Sequence, residues 1–398
     1  MGWALIKLGD LCTKITDGSH NPPKGIEFSD FIMLSSKNVF DDEINLKNPR
    51  YLDQGDFIKE NKRTDVSVGD VLLTFVGTIG RVAVVDDTLP KFTLQRSVAV
   101  LKPSPEQINS RFLMYSLQNI LDSLLGQSRG VAQKGIYLKS LRELIIAIPS
   151  LSEQKRIVAI LDKAFEAIDE AKAKTEQNLK NARELFDSYL QQVFSQRGDG
   201  WSRNTLGELG KVSMCKRILK KQTSQVGEIP FYKIGTFGKA PDAFISSEIY
   251  EQFKEKYSFP KKGDILLSAS GTIGKTVVYD GEPAYFQDSN IVWIDNNEKS
   301  VLNEFLLKFY KICDWNPSKG TTISRLYNDD LRRIEISYPE ISKQKEIIVC
   351  TTKLDKEVKV LESIYRKKLE SLNELRKSLL QKAFSGELTE KSLDEVMS

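Results

Sequence analysis

The chain says nearly the same thing twice. The segment VGDVLLTFVGTIGRVAVVDD at 68–87 returns as KGDILLSASGTIGKTVVYDG at 262–281, which puts Gly77 and Gly271 194 positions apart. A longer echo runs from Gly130 to Ser195 and realigns with Gly320 to Ser385 at a constant offset of 190. Tyr137 meets Tyr327, Leu141-Arg142 meets Leu331-Arg332, and Pro149 meets Pro339. Gln154-Lys155 meets Gln344-Lys345, Leu190-Gln191 meets Leu380-Gln381, and even Trp3 has a counterpart in Trp201. Repeats of 20–50 residues make solenoids. A period this long duplicates whole domains, and 398 residues leave room for two or three of them with real cores.

Each copy divides into two parts. The first is strand-like, with short β-branched and aromatic runs at 31–34, 71–75, 81–85 and 97–101, repeated at 229–234, 264–268, 276–279 and 290–294. Gly, Pro, Asn and Asp punctuate them. Helical stretches at 110–125 and 303–313 make the class α+β. The second part is a long helix. Ser152 reads as an N-cap with Glu153 and Gln154 in the first turn, and no Gly or Pro intervenes until Gly198. A 3-4 seam runs through Leu161, Ile168, Ala182 and Leu185 in the first copy and Leu354, Val358, Leu361, Leu372 and Leu375 in the second, where Ser342 opens the helix. Residues 152–195 as one helix would span about 65 Å at ~1.5 Å per residue, so each such helix must bury its seam on the other. Asn178 and Lys368 fall at equivalent seam positions. They either fix register or mark a local lapse into solvent. The expected layout is a globular domain at 1–150, a helix at 151–197, a second globular domain at 198–340, and a helix with tail at 341–398. Antiparallel pairing of the helices would give the two similar heads an approximate two-fold relation.

Chemistry-bearing motifs are scarce. SGTIGKT at 270–276 lacks the first glycine of a phosphate-binding loop, because Ala269 stands there, and it runs into a strand instead of a helix. NPPK at 21–24 has Lys24 where an amino-methyltransferase needs an aromatic, and GIY at 135–137 has no nuclease partner motif. GTIG reads as a glycine turn between two strands. Four scattered cysteines form no CxxC and read as reduced thiols of a cytoplasmic protein, and His20 is the single histidine, which excludes multi-histidine metal chemistry. No apolar run approaches membrane-spanning length. Net charge of +4 is compatible with nucleic acid and equally with an ordinary soluble protein. No catalytic constellation recurs in both copies, so the chain reads as a scaffold and reader that itself holds no metal or cofactor.

The stretches that diverge between copies, 16–63 and 213–257, are rich in side chains that contact phosphates and base edges. With the glycine turns they supply the candidate DNA contacts. These are Ser19, His20, Lys37, Asn38, Lys62, Arg63, Thr78 and Arg81 in the first copy, and Lys216, Arg217, Lys220, Lys221, Lys233, Thr272 and Lys275 in the second. Gln95-Arg96 and Gln287 are candidates on equal terms with a structural role. Two diverged segments on matched heads imply two different targets.

Taken in order, the GD(I/V)L…GTIG turns, the ITDGSHNPP opening at 15–23, the helix openings PSLSEQKRI at 149–157 and PEISKQKEI at 339–347, and the closing FSGELT at 384–389 resemble the DNA-specificity subunits of type I restriction–modification systems. The resemblance covers essentially the whole chain. It implies that each head reads one half of a split double-stranded DNA target and that the helices set the gap. It also implies two docked adenine-methyltransferase subunits and two ATP-driven restriction subunits, with S-adenosylmethionine and Mg-ATP on those partners. Lys343, where the first copy has Glu153, bears on the equivalence of the two docking surfaces. The competing classes are a coiled-coil assembly protein and a stand-alone DNA-modifying enzyme.

Overall fold

The computed structural model describes residues 2–76, 78–127, 137–315 and 325–387. Gly77, Gly130, Gly135, Ile136 and Gly320, together with the Leu388-Thr389 end of FSGELT and the tail beyond it, lie outside the described residues. Contacts divide the chain into two compact units: unit 1 comprises Met1–Thr175 with Lys368–Ser398, and unit 2 comprises Glu176–Lys367.

The first half of the chain runs β1 (Ala4–Lys7), α1 (Leu8–Leu11), β2 (Cys12–Asp17), β3 (Ile32–Leu34), β4 (Val39–Phe40), β5 (Glu43–Ile44), β6 (Arg50–Tyr51) and α2 (Gln54–Thr64). It continues through β7 (Val71–Thr74), β8 (Val82–Val84), β9 (Phe92–Leu94), β10 (Val98–Pro103), α3 (Ser110–Gln127), α4 (Leu138–Arg142), β11 (Ile145–Ile148) and the long α5 (Leu151–Phe194). Its main sheet is antiparallel in the order β2-β10-β7-β8, beside a small sheet β6-β3-β9 in which β3 and β9 are parallel, and a β1-β11 pair. Successive strand residues point to opposite faces. Val71, Leu73, Ala99 and Leu101 therefore pack toward Phe112 and Leu113 of α3 and Leu161 of α5, while Leu72, Val98 and Val100 pack toward Ile32, Leu34, Phe92 and Leu94 of the small sheet. A sheet covered on both faces needs apolar residues on both, which is why its strands read as continuous hydrophobic runs.

The second half repeats the plan: β12 (Trp201–Thr205), α6 (Leu206–Leu209), β13 (Gly210–Ser213), β14 (Ile229–Tyr232), β15 (Phe244–Ile245), α7 (Ser247–Lys256), β16 (Ile265–Ser268), β17 (Thr276–Val278), β18 (Tyr285–Phe286), β19 (Ile291–Asn296), α8 (Asn303–Tyr310), α9 (Asn328–Arg333), β20 (Glu335–Pro339) and α10 (Ile341–Ser385). The order β13-β19-β16-β17 matches the first main sheet, and β15-β14-β18, with β14 and β18 parallel, matches the first small sheet. Leu266, Ile291 and Trp293 face the small sheet, and Ile265, Leu267 and Val292 face Phe305 and Leu306 of α8. In both heads the variable segment is thus carried on the small-sheet side of the main sheet, with α3 or α8 on the other. Each of the diverged stretches 16–63 and 213–257 also carries a helix that the sequence reading did not place, α2 in one and α7 in the other. Asp53 and Ser246 cap them, accepting from Asp56 N–H and Ile249 N–H.

Both long helices form, but they start and pack differently from the expectation. Their caps are Ser150, whose Oγ accepts from Glu153 N–H at 3.4 Å, and Glu340, whose carbonyl accepts from Gln344 N–H at 3.0 Å; Ser152 and Ser342 belong to the first turns. Half of the expected seam is one residue out of phase. Leu161, Ile168, Thr175 and Ala182 are buried as expected, but the alternate row is Phe165 and Phe186, and Leu185 is exposed. In α10, Thr351, Val358 and Leu379 are buried with Leu372 half-buried, whereas Leu361 and Leu375 face solvent and the seam passes through Asp355, Glu362 and Arg376. Asn178 and Lys368 are exposed, so neither sits in the seam and the lapse into solvent is the correct reading.

The polar seam positions explain the shift. In unit 1 the Arg376 guanidinium lies 4.1 Å from the centre of the Phe165 ring and pairs with Asp169 at 3.0 Å. In unit 2 the cation over Phe186 is Lys311 of the head, at 5.0 Å, which also pairs with Asp355 at 3.0 Å. Each unit covers a phenylalanine of α5 with a cation, and long charged side chains bury their hydrocarbon stems there. In unit 2 the helices run antiparallel, with Arg183 paired to Glu362 and Tyr189 touching Cys350.

The glutamine of each EQK-like motif ties its helix to its head. Gln154 is fully buried: its Oε1 accepts from Asn109 N–H at 2.8 Å, and its Nε2 donates to Gln107 O and Pro149 O, both at 3.0 Å. Gln344, also fully buried, repeats this with Leu302 N–H at 2.9 Å, Ser300 O at 2.7 Å and Pro339 O at 2.8 Å. Unit 1 has a second tie. Arg111 of α3 donates to both oxygens of Asp42, in the β4–β5 turn, and to Asp162 of α5, which also accepts from Tyr115 OH at 2.6 Å.

Candidate nucleic-acid interface

Residues 78–80 in the first head and 271–274 in the second lie in turns between strands. Thr74 and Ser268 occupy equivalent places: Gly80 N–H donates to Thr74 O at 2.8 Å and Gly274 N–H to Ser268 O at 3.1 Å, while their hydroxyls accept from Arg81 N–H and Lys275 N–H. Gly274 has φ +85° and no room for a Cβ beside the Trp315 indole, so glycine is required. The aspartate of each preceding GD pair is buried and closes its own turn. Asp70 accepts from Ser67 N–H and Lys102 Nζ, and Asp264 accepts from Lys261 N–H. Burial raises both carboxyls above the ordinary value against these hydrogen bonds.

Several expected DNA contacts turn out to be internal. The Lys275 ammonium donates to Phe237 O, and Arg81 stacks on Phe40 at 4.6 Å; in both heads the cation after the glycine turn braces the variable segment from within. Asn38 is buried, taking Ser35 N–H on its Oδ1 and donating to Asn45 O and Lys47 O, so it closes the β4–β5 hairpin and has nothing left to offer a base. Ser19 is buried with its backbone held between Leu94 O and Arg96 N–H. Lys233 is different: it pairs at the surface with Asp242 at 2.8 Å, and both side chains stay exposed. Gln287 is structural, since its Oε1 accepts from Ile234 N–H at 2.9 Å.

The others stand outside. Thr78 and Thr272 are exposed at the glycine turns, Lys37 lies beside the β4–β5 hairpin, and Lys62 lies in the last turn of α2. Lys216 lies 5.0 Å from the Tyr257 ring centre, and Lys220 and Lys221 are exposed on a 3₁₀ turn. Two groupings are organised by carboxylates. Asp17 binds His20 Nε2 at 2.7 Å through Oδ2 and the Arg63 guanidinium through Oδ1, and Asp288 binds Arg217 Nε at 2.8 Å. The spacing to Arg63 could not be read from sequence, because the helix α2 that brings it back was not expected. Among the described residues no group of three or more His, Cys, Asp or Glu is placed to hold a metal ion, and no helix is long and apolar enough to cross a membrane.

The chain is similar to known proteins along most of its length. The family model described as type I restriction modification DNA specificity domain matches twice, at residues 1–181 and 198–370. A putative type I restriction enzyme specificity subunit, S.HindORF215P of Haemophilus influenzae, is 45% identical over 270 residues, covering 67% of this chain and 69% of that one. The putative MjaX specificity subunit of Methanocaldococcus jannaschii is 24% identical over 371 residues, 84% of this chain and 83% of the relative. Among solved structures, a chain from work on complex assembly and conformational transition of the type I R-M system matches with a TM-score of 0.73 at 19% identity, covering 96% and 97% of the two chains. The HsdS subunit from Thermoanaerobacter tengcongensis matches with a TM-score of 0.56 at 18% identity over 97% of each. These two share the fold, and the doubled family match coincides with the doubled architecture: the chain belongs to the type I restriction–modification DNA specificity family.

Proposed function

We propose that this chain, a type I specificity subunit with no catalytic role of its own, reads an asymmetric two-part target in double-stranded DNA, one half with each head. The heads, 1–150 and 198–340, carry the readers, and the helices, 151–197 and 341–398, set the unspecified gap and present the docking surfaces. Two methyltransferase subunits and two restriction subunits assemble on it, bringing S-adenosylmethionine and Mg-ATP, and the work is done on DNA in the cytoplasm.

One observation carries this reading. The frame is built twice, down to the buried glutamines Gln154 and Gln344, while the exposed groups on the variable segments differ: His20 with Arg63 in one head, and Arg217 with Lys220 and Lys221 in the other. Matched frames with unmatched readers fit two different half-sites. The test is selection of bound DNA from a random pool by this chain assembled with its methyltransferase subunits. The expected result is enrichment of a split sequence with two unlike halves. Identical halves would refute the asymmetry, absence of any sequence enrichment would favour an assembly protein, and tight S-adenosylmethionine binding by the isolated chain would favour an enzyme.

A further inference from the structure

In each head a carboxylate that is itself withdrawn from water holds a cation that is not. The Asp17 side chain is 6% exposed, while its partners His20 and Arg63 are each 53% exposed. Arg63 grips the same residue twice, with Nη2 on the carboxylate and Nε on Asp17 O at 3.0 Å. In the other head the Asp288 side chain is 15% exposed and Arg217 67%. The two anchors come from different places in the repeat. Asp17 ends β2, and Asp288 follows β18, so each head has assembled the device independently. The backbone under the first anchor is fixed as well, because a Cβ at Gly18 would lie 2.2 Å from Leu94 O.

An ion pair whose cation stays in water adds little to stability. What a withdrawn carboxylate does do is fix the direction of the cation above it. With Nε held by Asp288, the two terminal nitrogens of Arg217 are left as a fork of donors, the geometry that donates to guanine O6 and N7 in the major groove. Arg63, held through Nε and one terminal nitrogen, presents a narrower set of donors beside His20. We infer that Asp17 and Asp288 are positioning residues that set base preference, Asp17 through His20 and Arg63 in one half-site, and Asp288 through Arg217 at a guanine in the other.

This inference rests on the half-site reading above, and the experiment separates the two. The chain is co-expressed with its methyltransferase subunits in a host free of adenine methylation. Modified adenines are then mapped for wild type and for Asp17→Asn, His20→Ala, Arg63→Gln, Asp288→Asn and Arg217→Gln. Asp17→Asn and the variants of its partners should relax the same one or two base pairs of one half-site by about tenfold or more. Asp288→Asn and Arg217→Gln should relax a G·C pair of the other half, and all five should leave the gap unchanged. An unchanged motif in these variants, or a uniform fall in methylation with base preference intact (the mark of phosphate contact), would overturn the inference. If Asp17→Asn gives no methylation at all, His20→Ala and Arg63→Gln decide by the same criteria. A wild-type map without a split motif dependent on this chain would overturn the half-site reading and this inference together.

Discussion

Replacing Gln154 with leucine removes one buried side chain and strands three backbone groups. Asn109 N–H, Gln107 O and Pro149 O each lose the partner supplied by a side chain that is itself fully buried. Leaving a buried donor or acceptor unpaired costs about 1–3 kcal/mol. The carbonyls have second lone pairs and lose less than the N–H, so the expected cost is about 3–5 kcal/mol, a large share of the ~5–15 kcal/mol that holds a domain folded. Gln344→Leu should cost the same within about 1 kcal/mol, since its three bonds are equivalent and it shares no partner with Gln154. Because two compact units need not unfold as one transition, the assay is urea unfolding read together with amide exchange at Asn109 and Leu302. Each substitution should strip protection from its own amide and leave the other unchanged. Gln154→Glu separates bonding from shape: its carboxylate still accepts from Asn109 N–H but faces two carbonyl oxygens, so it should be worse than leucine at neutral pH and recover on acidification as the acid becomes a donor. A Gln154→Leu protein within about 0.5 kcal/mol of wild type, with the Asn109 amide still protected, would mean that these three hydrogen bonds do not hold the helix to its head.

Other consequences are simpler to check. Burial opposes ionisation of Asp355, yet hydrogen bonds from Lys359 and Lys311 outweigh it and hold the carboxyl below the ordinary value. A depressed folded-state pKa contributes stability above the ordinary carboxylate range and loses it as pH falls through the folded value. Denaturation midpoints of wild type and Asp355→Asn should therefore differ at neutral pH and converge in acid, and parallel curves would contradict this. Phe165→Ala should cost about 3–5 kcal/mol, since the ring is buried beneath Arg376 and edge-on to Tyr115, whereas Leu185→Lys should fall within about 0.5 kcal/mol of wild type. Thermal unfolding of both variants distinguishes this seam from one that runs through Leu185.

Apolar periodicity located three of the four strands of each main sheet, missing β2 and β13, and the existence of both long helices, because those elements bury continuous or strongly repeating hydrophobic surface. It failed where packing uses other chemistry. The seam passes through Asp355, Glu362 and Arg376 because Arg376, and the Lys311 that pairs with Asp355, lay their stems over phenylalanines there, and a search for leucines settles on Leu361 and Leu375, one residue away and in water. The helices α2 and α7 bury little, with Phe57 and Thr64 in one and Tyr250 in the other, so no hydrophobic stripe announces them. Their caps, Asp53 and Ser246, followed by lysine or arginine in the last turn, were the available signal. Among the expected DNA contacts, composition alone could not tell a cation that braces the interior, such as Lys275, from one held outward, such as Arg217; that distinction lies in contacts between residues far apart in sequence. The buried glutamines show the opposite case. The motif was visible as a repeated string, and its role as a staple appeared only when its three partners came into view.

Whether the two heads read two unlike half-sites is answered by a genome-wide map of modified adenines made with and without this chain, co-expressed with its methyltransferase subunits in a methylation-free host. The expected result is a split motif with two different halves and one fixed gap, which disappears when the chain is omitted. A palindromic or contiguous motif, or a methylation pattern that persists without the chain, would contradict it.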